Sequence, residues 1–430
     1  MIDNILGTIR RLMPKKLFEV LSPIYHWKLA FLAALWYRFP SKNITVIAVT
    51  GTKGKSSTTE ILNAILEEAG YKTALSNTIR YKVGNDSHPN LFKMSMPGRF
   101  FAQRLIRKAV DSGCQFLIME MTSQGALQYR HRFIKINTLV FTNISPEHIE
   151  AHGSYENYLN SKLELAKHIS RSGKSGTTII ANSDDKESQK FLACEADNKI
   201  TYGIQNAEPY SIEKEGLKFT LNGQTVSSQL SGIFNLYNII SAVTTARSFG
   251  VDDKTIIRAI EKISEIPGRV QKIKSPKGFE IVVDYAHTPD SLEKFYKVFD
   301  KSSGATGQGR NSQGQNICIL GGTGGGRDTW KRAEMGRLAE KYCSIIFLTN
   351  EDPYDEDPDK IVADVALGIK NKKPQIIMDR RLAIREAIRI ANAGDSILIT
   401  GKGTDPYIMG PNGTKTPWSD YRIAEEELLK

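Results

Sequence analysis

Val46-Ile47-Ala48-Val49-Thr50-Gly51-Thr52-Lys53-Gly54-Lys55-Ser56-Ser57 decides the fold. Four β-prone apolar residues run into a glycine-broken turn, after which Ile61, Leu62, Ile65, Leu66 and Ala69 recur at helical spacing. The order is strand, loop, helix. Glycines let backbone N–H groups close on phosphate oxygens, and a helix N-terminus adds partial positive charge. In such a loop Lys55 reaches the β/γ-phosphates and the Ser56 hydroxyl holds Mg²⁺. The common pattern wants a glycine where this chain has Val49, so Gly51 supplies a shorter turn. A purely structural glycine turn is the alternative. The preceding strand, the Lys-Ser pair and the following helix favour a nucleoside triphosphate.

The 430 residues suffice for two or three domains, and the formal net charge of +11 fits an anionic ligand. The basic residues are dispersed and carry no nucleic-acid-binding signature, so small phosphorylated molecules are the expected partners and nucleic acid is not. Cys114, Cys194, Cys318 and Cys343 are widely spaced, without a CxxC pair. They are expected as free thiols in a cytoplasmic protein. No secretory signal with a cleavage site is visible, and a monomer is expected.

Residues 1–42 stand apart. Ile2, Ile5, Leu6, Ile9, Leu12 and Met13 form an apolar helical face beside Arg10, Arg11, Lys15 and Lys16. Beyond Pro14 a second apolar patch runs from Leu29 to Tyr37, with Trp27 and Trp36. Its apolar run falls short of the ~20 residues that span a bilayer. Two readings stay open: a basic amphipathic helix lying on the inner face of a membrane, or a helical pair packed on the domain behind it. The segment is too short for a nucleotide-sugar-binding domain.

Residues 43–266 alternate strand and helix. Strands are predicted at 44–50, 72–76, 115–120, 136–142, 177–181 and 199–202, with helices near 55–69, 98–112, 154–171, 233–249 and 252–263. Such alternation implies a mostly parallel sheet covered on both faces. Residues 208–231 read as an antiparallel insertion with turns at Gly216 and Asn222-Gly223. A second α/β unit, 267–430, opens at Pro267-Gly268, with strands at 270–274, 279–284, 316–320, 344–349, 375–378 and 395–399. Within it, 301–315 is rich in Gly, Ser and Gln and reads as a mobile linker.

Two further stretches carry chemistry. Strand 115–120 ends in Glu120, and a carboxylate at a strand's C-terminal end beside a phosphate loop is placed to bind Mg²⁺. An acidic strand cap is the plainer account. Phe141 to Gly153 sets His148 and His152 among Glu147 and Glu150, as ligands, acid/base groups or ordinary surface residues.

Taken together, VTGTKGKSS (49–57), MEMTSQGALQYRH (119–131), VFTNISPEHIEAHGSYENYLNSK (140–162), GIFNLYN (232–238), PGR (267–269), VVDYAHTPDSLEK (282–294), GGTGGGRDTWKR (321–332) and GKG (401–403) resemble the Mur ligases. The UDP-N-acetylmuramoyl-tripeptide synthetases are the most similar branch. The resemblance implies a central P-loop ATPase domain with a mostly parallel sheet and a C-terminal Rossmann-like α/β domain that closes over the substrates. It implies an ATP-dependent ligase that adds an amino acid to a muramoyl-peptide precursor of peptidoglycan.

By that resemblance Gly51, Thr52, Lys53, Gly54, Lys55, Ser56 and Ser57 hold ATP, with Asn235, Asn238, Arg269, Asp284 and His287. Lys55, Glu120, His148 and Lys162 form the catalytic set. Ser56 and Glu120 hold a first Mg²⁺, and His148 with Lys162, carbamylated, a second. From its sequence context alone Lys162 is an exposed helix lysine. Ser95, Thr122, Gln128 and Arg130 match acceptor contacts. Arg327 matches a grip on the incoming amino acid's carboxylate, and Asp352, Tyr354, Gly401 and Asp405 fall where the rest of that molecule is read.

The chain departs from the family in three places. The resemblance leads to the expectation that the 42 N-terminal residues stand where the usual domain that grips uridine diphosphate would be, leaving a UDP-linked or a lipid-linked acceptor open. Tyr354 replaces the arginine that clamps diaminopimelate and cannot make that bidentate contact. Gly401-Lys402-Gly403-Thr404-Asp405 carries a shorter acid than the family string. The added amino acid stays open. A folylpolyglutamate-type ligase and a non-catalytic ATP-binding scaffold at the membrane are the alternative functions.

Overall fold

The computed structural model describes residues 15–147, 149–213, 215–300, 314–326 and 328–430. The apolar face expected at 2–13 and most of the linker at 301–315 lie outside the described residues. The first sheet contains β1 (Thr45–Thr50), β2 (Thr73–Ser76), β3 (Arg80–Val83), β4 (Asp86–Pro89), β5 (Phe116–Glu120), β6 (Thr138–Phe141), β7 (Thr178–Asn182) and β8 (Asn198–Tyr202), in the order β4-β3-β2-β5-β1-β6-β7-β8. β1 sits inside it, parallel to β5 and β6, with Val49 opposite Glu120 and Thr50 opposite Phe141. That register brings the ends of three strands to one edge, where the loop after β1 emerges. The hairpin β3–β4 adds the antiparallel edge that the sequence pattern did not show.

Alternation along the strands sorts the core into two faces. Ile47, Val49 and Ile118 pack on Ile61, Leu62, Ile65 and Leu66 of the helix Lys55–Glu68 and on the helix Ile233–Ser248. Val46, Ala48, Leu117 and Met119 pack on the helices Arg99–Asp111 and Tyr155–Ser170. Each fully buried aliphatic side chain contributes about 1.5–3 kcal/mol, so β1 and the helix that follows it are firmly anchored. The loop between them is held at both ends.

A three-stranded antiparallel sheet follows, β9 (Tyr210–Glu213), β10 (Gly216–Leu221) and β11 (Gln224–Ser228). Asn222 and Gly223, both at positive φ, make the β10–β11 turn. The second large sheet, β12 (Gln271–Lys274), β13 (Glu280–Val283), β14 (Asn316–Leu320), β15 (Ile345–Leu348), β16 (Gln375–Ile376) and β17 (Ser396–Ile399), runs β12-β13-β17-β14-β15-β16. All its pairs are parallel except β12–β13. A two-stranded ribbon, β18 (Tyr407–Met409) with β19 (Lys415–Pro417), completes the strands.

One expectation is revised. Cys318 and Cys343 form a disulfide, with Cα atoms 5.9 Å apart; the parallel pairing of β14 with β15 brings them together. Cys114 and Cys194 are free thiols. The second apolar patch is part of one helix, Lys15–Trp36, with Pro23 inside it. Ala30, Ala33 and Ala34 bury against the helix Arg99–Asp111, while Ile24, Trp27, Leu32, Leu35 and Trp36 stay exposed. No helix among the described residues is long and apolar enough to cross a membrane.

Candidate active site

The helix Lys55–Glu68 begins at Gly54, whose φ of 83° only glycine adopts without strain, and no side chain caps it. Its first N–H groups therefore point into the loop without intrahelical partners, an arrangement that suits an anion. A Cβ at Gly54 would lie 2.2 Å from Asn238 Oδ1, and one at Gly51 would lie 2.0 Å from Thr142 Oγ1. The loop is tied to β6 as well: Asn143 Oδ1 accepts from Lys53 N at 3.0 Å, and Thr142 Oγ1 donates to Lys53 O at 2.8 Å. Lys55 Nζ donates to Thr52 O at 2.9 Å and stands 3.9 Å from Glu120 Oε1.

Glu120 collects the polar groups around it. Ser56 Oγ donates to its Oε2 at 2.7 Å, Ser95 Oγ to its Oε1 at 2.8 Å, and Thr78 contributes its backbone N–H at 3.2 Å. Burial pushes this carboxyl up, but Lys55 and the Ser56 and Ser95 hydroxyls outweigh it, and the net shift is downward. Arg269 crosses from the second domain to 3.4 Å from Ser56 Oγ and lies over the Tyr285 ring at 4.5 Å. Oxygen donors with a single carboxylate suit Mg²⁺, which takes one or two carboxylates and completes its shell with phosphate and water. Among the described residues no group of three or more His, Cys, Asp or Glu side chains forms a metal cage.

Both domains enclose a cavity of about 480 Å³. Thr52 to Ser57, Ser95, Glu120, Thr122, Asn235, Asn238, Arg269, Asp284 and His287 all line it. Asn238 Nδ2 donates to Asn235 Oδ1 at 3.2 Å. Asp284 accepts from Val270 N at 2.8 Å and Ala286 N at 2.7 Å, and its burial raises its pKa. His287 Nδ1–H donates to Tyr285 O at 2.8 Å, and its Nε2 lies 3.7 Å from Glu147. Burial holds this imidazole well below its usual range.

Lys162 is not an exposed lysine. It is 2% exposed, behind the loop, where its Nζ donates to Gly51 O at 2.6 Å. Burial, then the nearby Lys55, lower its pKa far below that of a free lysine. Tyr158, Leu165, Ala166 and Ile169 share its helix face, and that spacing makes the face legible in the sequence.

The remaining expected residues lie apart. Gln128 and Arg130 are outside the cavity lining; Gln128 Oε1 accepts from Arg130 Nη2 at 2.7 Å. Asp352 and Asp405 are bridged by two lysines. Lys93 Nζ reaches Asp352 Oδ2 at 2.7 Å and Asp405 Oδ2 at 2.9 Å, and Lys402 Nζ reaches Asp352 Oδ1 at 2.8 Å. Gly401 packs its Cα against Glu351, and Tyr354 sits at φ 52° with its N–H donating to Met409 O. His148 and Arg327 lie outside the described residues. Thr78 and Tyr285, which line the cavity, and Lys93, which bridges Asp352 and Asp405, escape sequence reasoning, because only chain packing brings their loops there.

The comparisons agree in where they match. A family model for the Mur ligase middle domain matches residues 49–246, and one for the Mur ligase glutamate ligase domain matches residues 268–403. The chain is 35% identical over 412 residues to a UDP-N-acetylmuramoyl-L-alanyl-D-glutamate–2,6-diaminopimelate ligase of Syntrophomonas wolfei, covering 93% of this chain and 81% of that one. It is 31% identical over 427 residues to a UDP-N-acetylmuramyl-tripeptide synthetase of a Roseiflexus species, covering 94% and 82%. A solved UDP-N-acetylmuramoyl-L-alanyl-D-glutamate–2,6-diaminopimelate ligase superposes with a TM-score of 0.59 at 28% identity, over 90% of this chain and 78% of that one.

Proposed function

This chain belongs to the Mur ligase family, and from that premise we propose that it joins an amino acid to the carboxylate of a muramoyl-peptide precursor of peptidoglycan at the expense of ATP. The observation that supports this best is the convergence of Lys55, Ser56, Ser95 and Thr78 on Glu120 in a cavity closed by both domains.

The acceptor carboxylate attacks the γ-phosphate, releasing ADP and leaving an acyl phosphate. The amine of the amino acid then attacks that carbonyl, and phosphate leaves. Lys55 and the uncapped helix N-terminus neutralise charge on the transferring phosphoryl group. Arg269 adds a second cation from the other domain, so phosphate binding and closure reinforce each other. Ser95 and Thr122 hold the acceptor carboxylate in line, with Gln128 and Arg130 further along that molecule. Asn235, Asn238 and His287 border the nucleotide, and enclosure keeps water from the acyl phosphate. Bound at Glu120 and Ser56, Mg²⁺ supplies charge neutralisation on the phosphates. A second ion is assigned to His148 and Lys162. The neutral amine that burial favours at Lys162 is the form that adds CO₂ and loses a proton, turning a donor into an oxygen ligand. Arg327, Asp352, Tyr354, Gly401 and Asp405 are assigned to the amino acid.

A nucleoside triphosphate substrate places the reaction in the cytoplasm. The exposed Trp27, Leu32, Leu35 and Trp36 support a peripheral membrane contact, read by cosedimentation with anionic vesicles. The function is tested by phosphate release from ATP with muramoyl-dipeptide acceptors, soluble and lipid-linked, and a panel of amino acids. Turnover with at least one pair is expected. No turnover with any pair overturns it, and turnover only with folate and glutamate transfers the enzyme to the polyglutamate branch.

A further inference from the structure

Among the described residues no carboxylate lies beside the guanidiniums of Arg99 and Arg130. Arg99 Nη2 donates to Gln128 O and lies 2.7 Å from His26 Nδ1. Arg130 donates to Met96 O and, from Nε at 3.1 Å and Nη2 at 2.7 Å, to Gln128 Oε1. None of these partners is a carboxylate, and no Asp or Glu side chain among the described residues pairs with either guanidinium. Both side chains are half-buried. Burial, and then repulsion from Arg130, push Arg99 down to about 10, and burial lowers Arg130 as well. Buried charges in folded proteins are normally paired, so a pair of unneutralised arginines marks a place that an anion completes.

Local geometry adds to this. Arg99 is the first residue of a 13-residue helix that starts at Gly98 without a side-chain cap. The first-turn N–H groups and the helix's partial charge thus start at the residue that carries one of the two guanidiniums. The site sits just beyond the acceptor end of the cavity: Met96 follows Ser95, and Gln128 closes the short helix that Thr122 caps. Around it are exposed apolar side chains, Leu91, Phe92, Met94 and Phe100. Met94 Sδ is 3.8 Å from Arg130 Nη1. An anion held here is therefore bordered on one side by the reacting end of the acceptor and on another by apolar surface.

We propose that Arg99 and Arg130, with the N-terminus of the helix Arg99–Asp111, bind the diphosphate of the acceptor's carrier, whether that carrier is a nucleoside or a lipid. Two guanidiniums match a diphosphate in charge. A single carboxylate leaves one of them unneutralised. The inference rests on the ligase reading, since it takes the anion to be part of the substrate.

The test has a binding arm and a kinetic arm. Geranyl diphosphate and UDP are titrated calorimetrically into wild-type protein and into Arg99→Gln and Arg99→Lys. Binding of either probe that Arg99→Gln weakens by about 10- to 100-fold and Arg99→Lys partly restores is expected. Preference for geranyl diphosphate identifies a lipid carrier, and preference for UDP a nucleotide carrier. In the kinetic arm, Arg99→Gln should raise the KM for a diphosphate-bearing acceptor relative to that for a diphosphate-free muramoyl dipeptide by a similar factor. Equal effects on both acceptors mean that the arginines only brace Gln128 and Met96, and this overturns the proposal, as does binding of neither probe. Probe binding without turnover of any acceptor leaves the anion site standing and overturns the ligase reading instead.

Discussion

Removing the Lys55 ammonium should stop turnover while leaving the fold intact. In Lys55→Ala the transferring phosphoryl group loses the cation nearest to it. Lys55 Nζ now stands 3.9 Å from a Glu120 oxygen, within reach of an anion in the cavity. At that separation, and an effective dielectric of about 20, a pair of unit charges interacts by about 4 kcal/mol. Loss of about 4 kcal/mol from the transition state lowers the rate roughly 10³-fold. The fold should survive, because Lys55 sits at the first turn of its helix and its hydrogen bond is to the loop itself. The assay is acceptor-dependent phosphate release at saturating ATP, with thermal melts alongside. A variant that melts like wild type and keeps a rate within about tenfold of it would show that the loop does not face the γ-phosphate.

Three other perturbations follow from the same geometry. Gly54→Ala forces a methyl group to 2.2 Å from Asn238 Oδ1 at a φ that disfavours alanine; a stability loss of about 1–3 kcal/mol and weakened nucleotide binding should appear in denaturant titration and calorimetry. Lys162→Ala should lower kcat by about 10²-fold or more and recover in part with acetate or formate; full activity without rescue would remove any metal or carbamate role. His131 is fully buried against His168, neither ring nitrogen of His131 has a hydrogen bond among the described residues, and its pKa lies well below 6.5 because of burial and then His168. The unfolded chain therefore binds a proton that the folded one refuses, so stability falls as pH drops below about 6.5, by up to about 1.4 kcal/mol per pH unit. Denaturant melts of His131→Phe across that range should show a shallower slope.

Much of the framework is legible in the residues, because period-2 and period-3.6 apolar patterns report burial directly. β1, its loop and the helix after it fall where 44–50 and 55–69 predict, and the Gly54 kink is readable from glycine's freedom at positive φ. What escapes is contact between segments distant in sequence. Nothing in Thr78 or Ser95 announces that both will turn towards Glu120, since each belongs to a loop whose path is set by the unforeseen β3–β4 hairpin. Lys93 meets Asp352 and Asp405 only because two domains close on each other. Cys318 in β14 and Cys343, just before β15, pair because those two strands are neighbours, which a spacing of 25 residues does not reveal. Lys162 lies between these cases: its helix face was visible, but a lysine on that face reads as solvent-exposed until the loop is seen to cover it.

The acyl phosphate can be followed directly by labelling the acceptor carboxylate with oxygen-18 and analysing the released phosphate by mass spectrometry. Transfer through the proposed intermediate carries one labelled oxygen into each phosphate formed. Phosphate that emerges without label, while the amide product accumulates, would mean that the carboxylate never attacked the nucleotide.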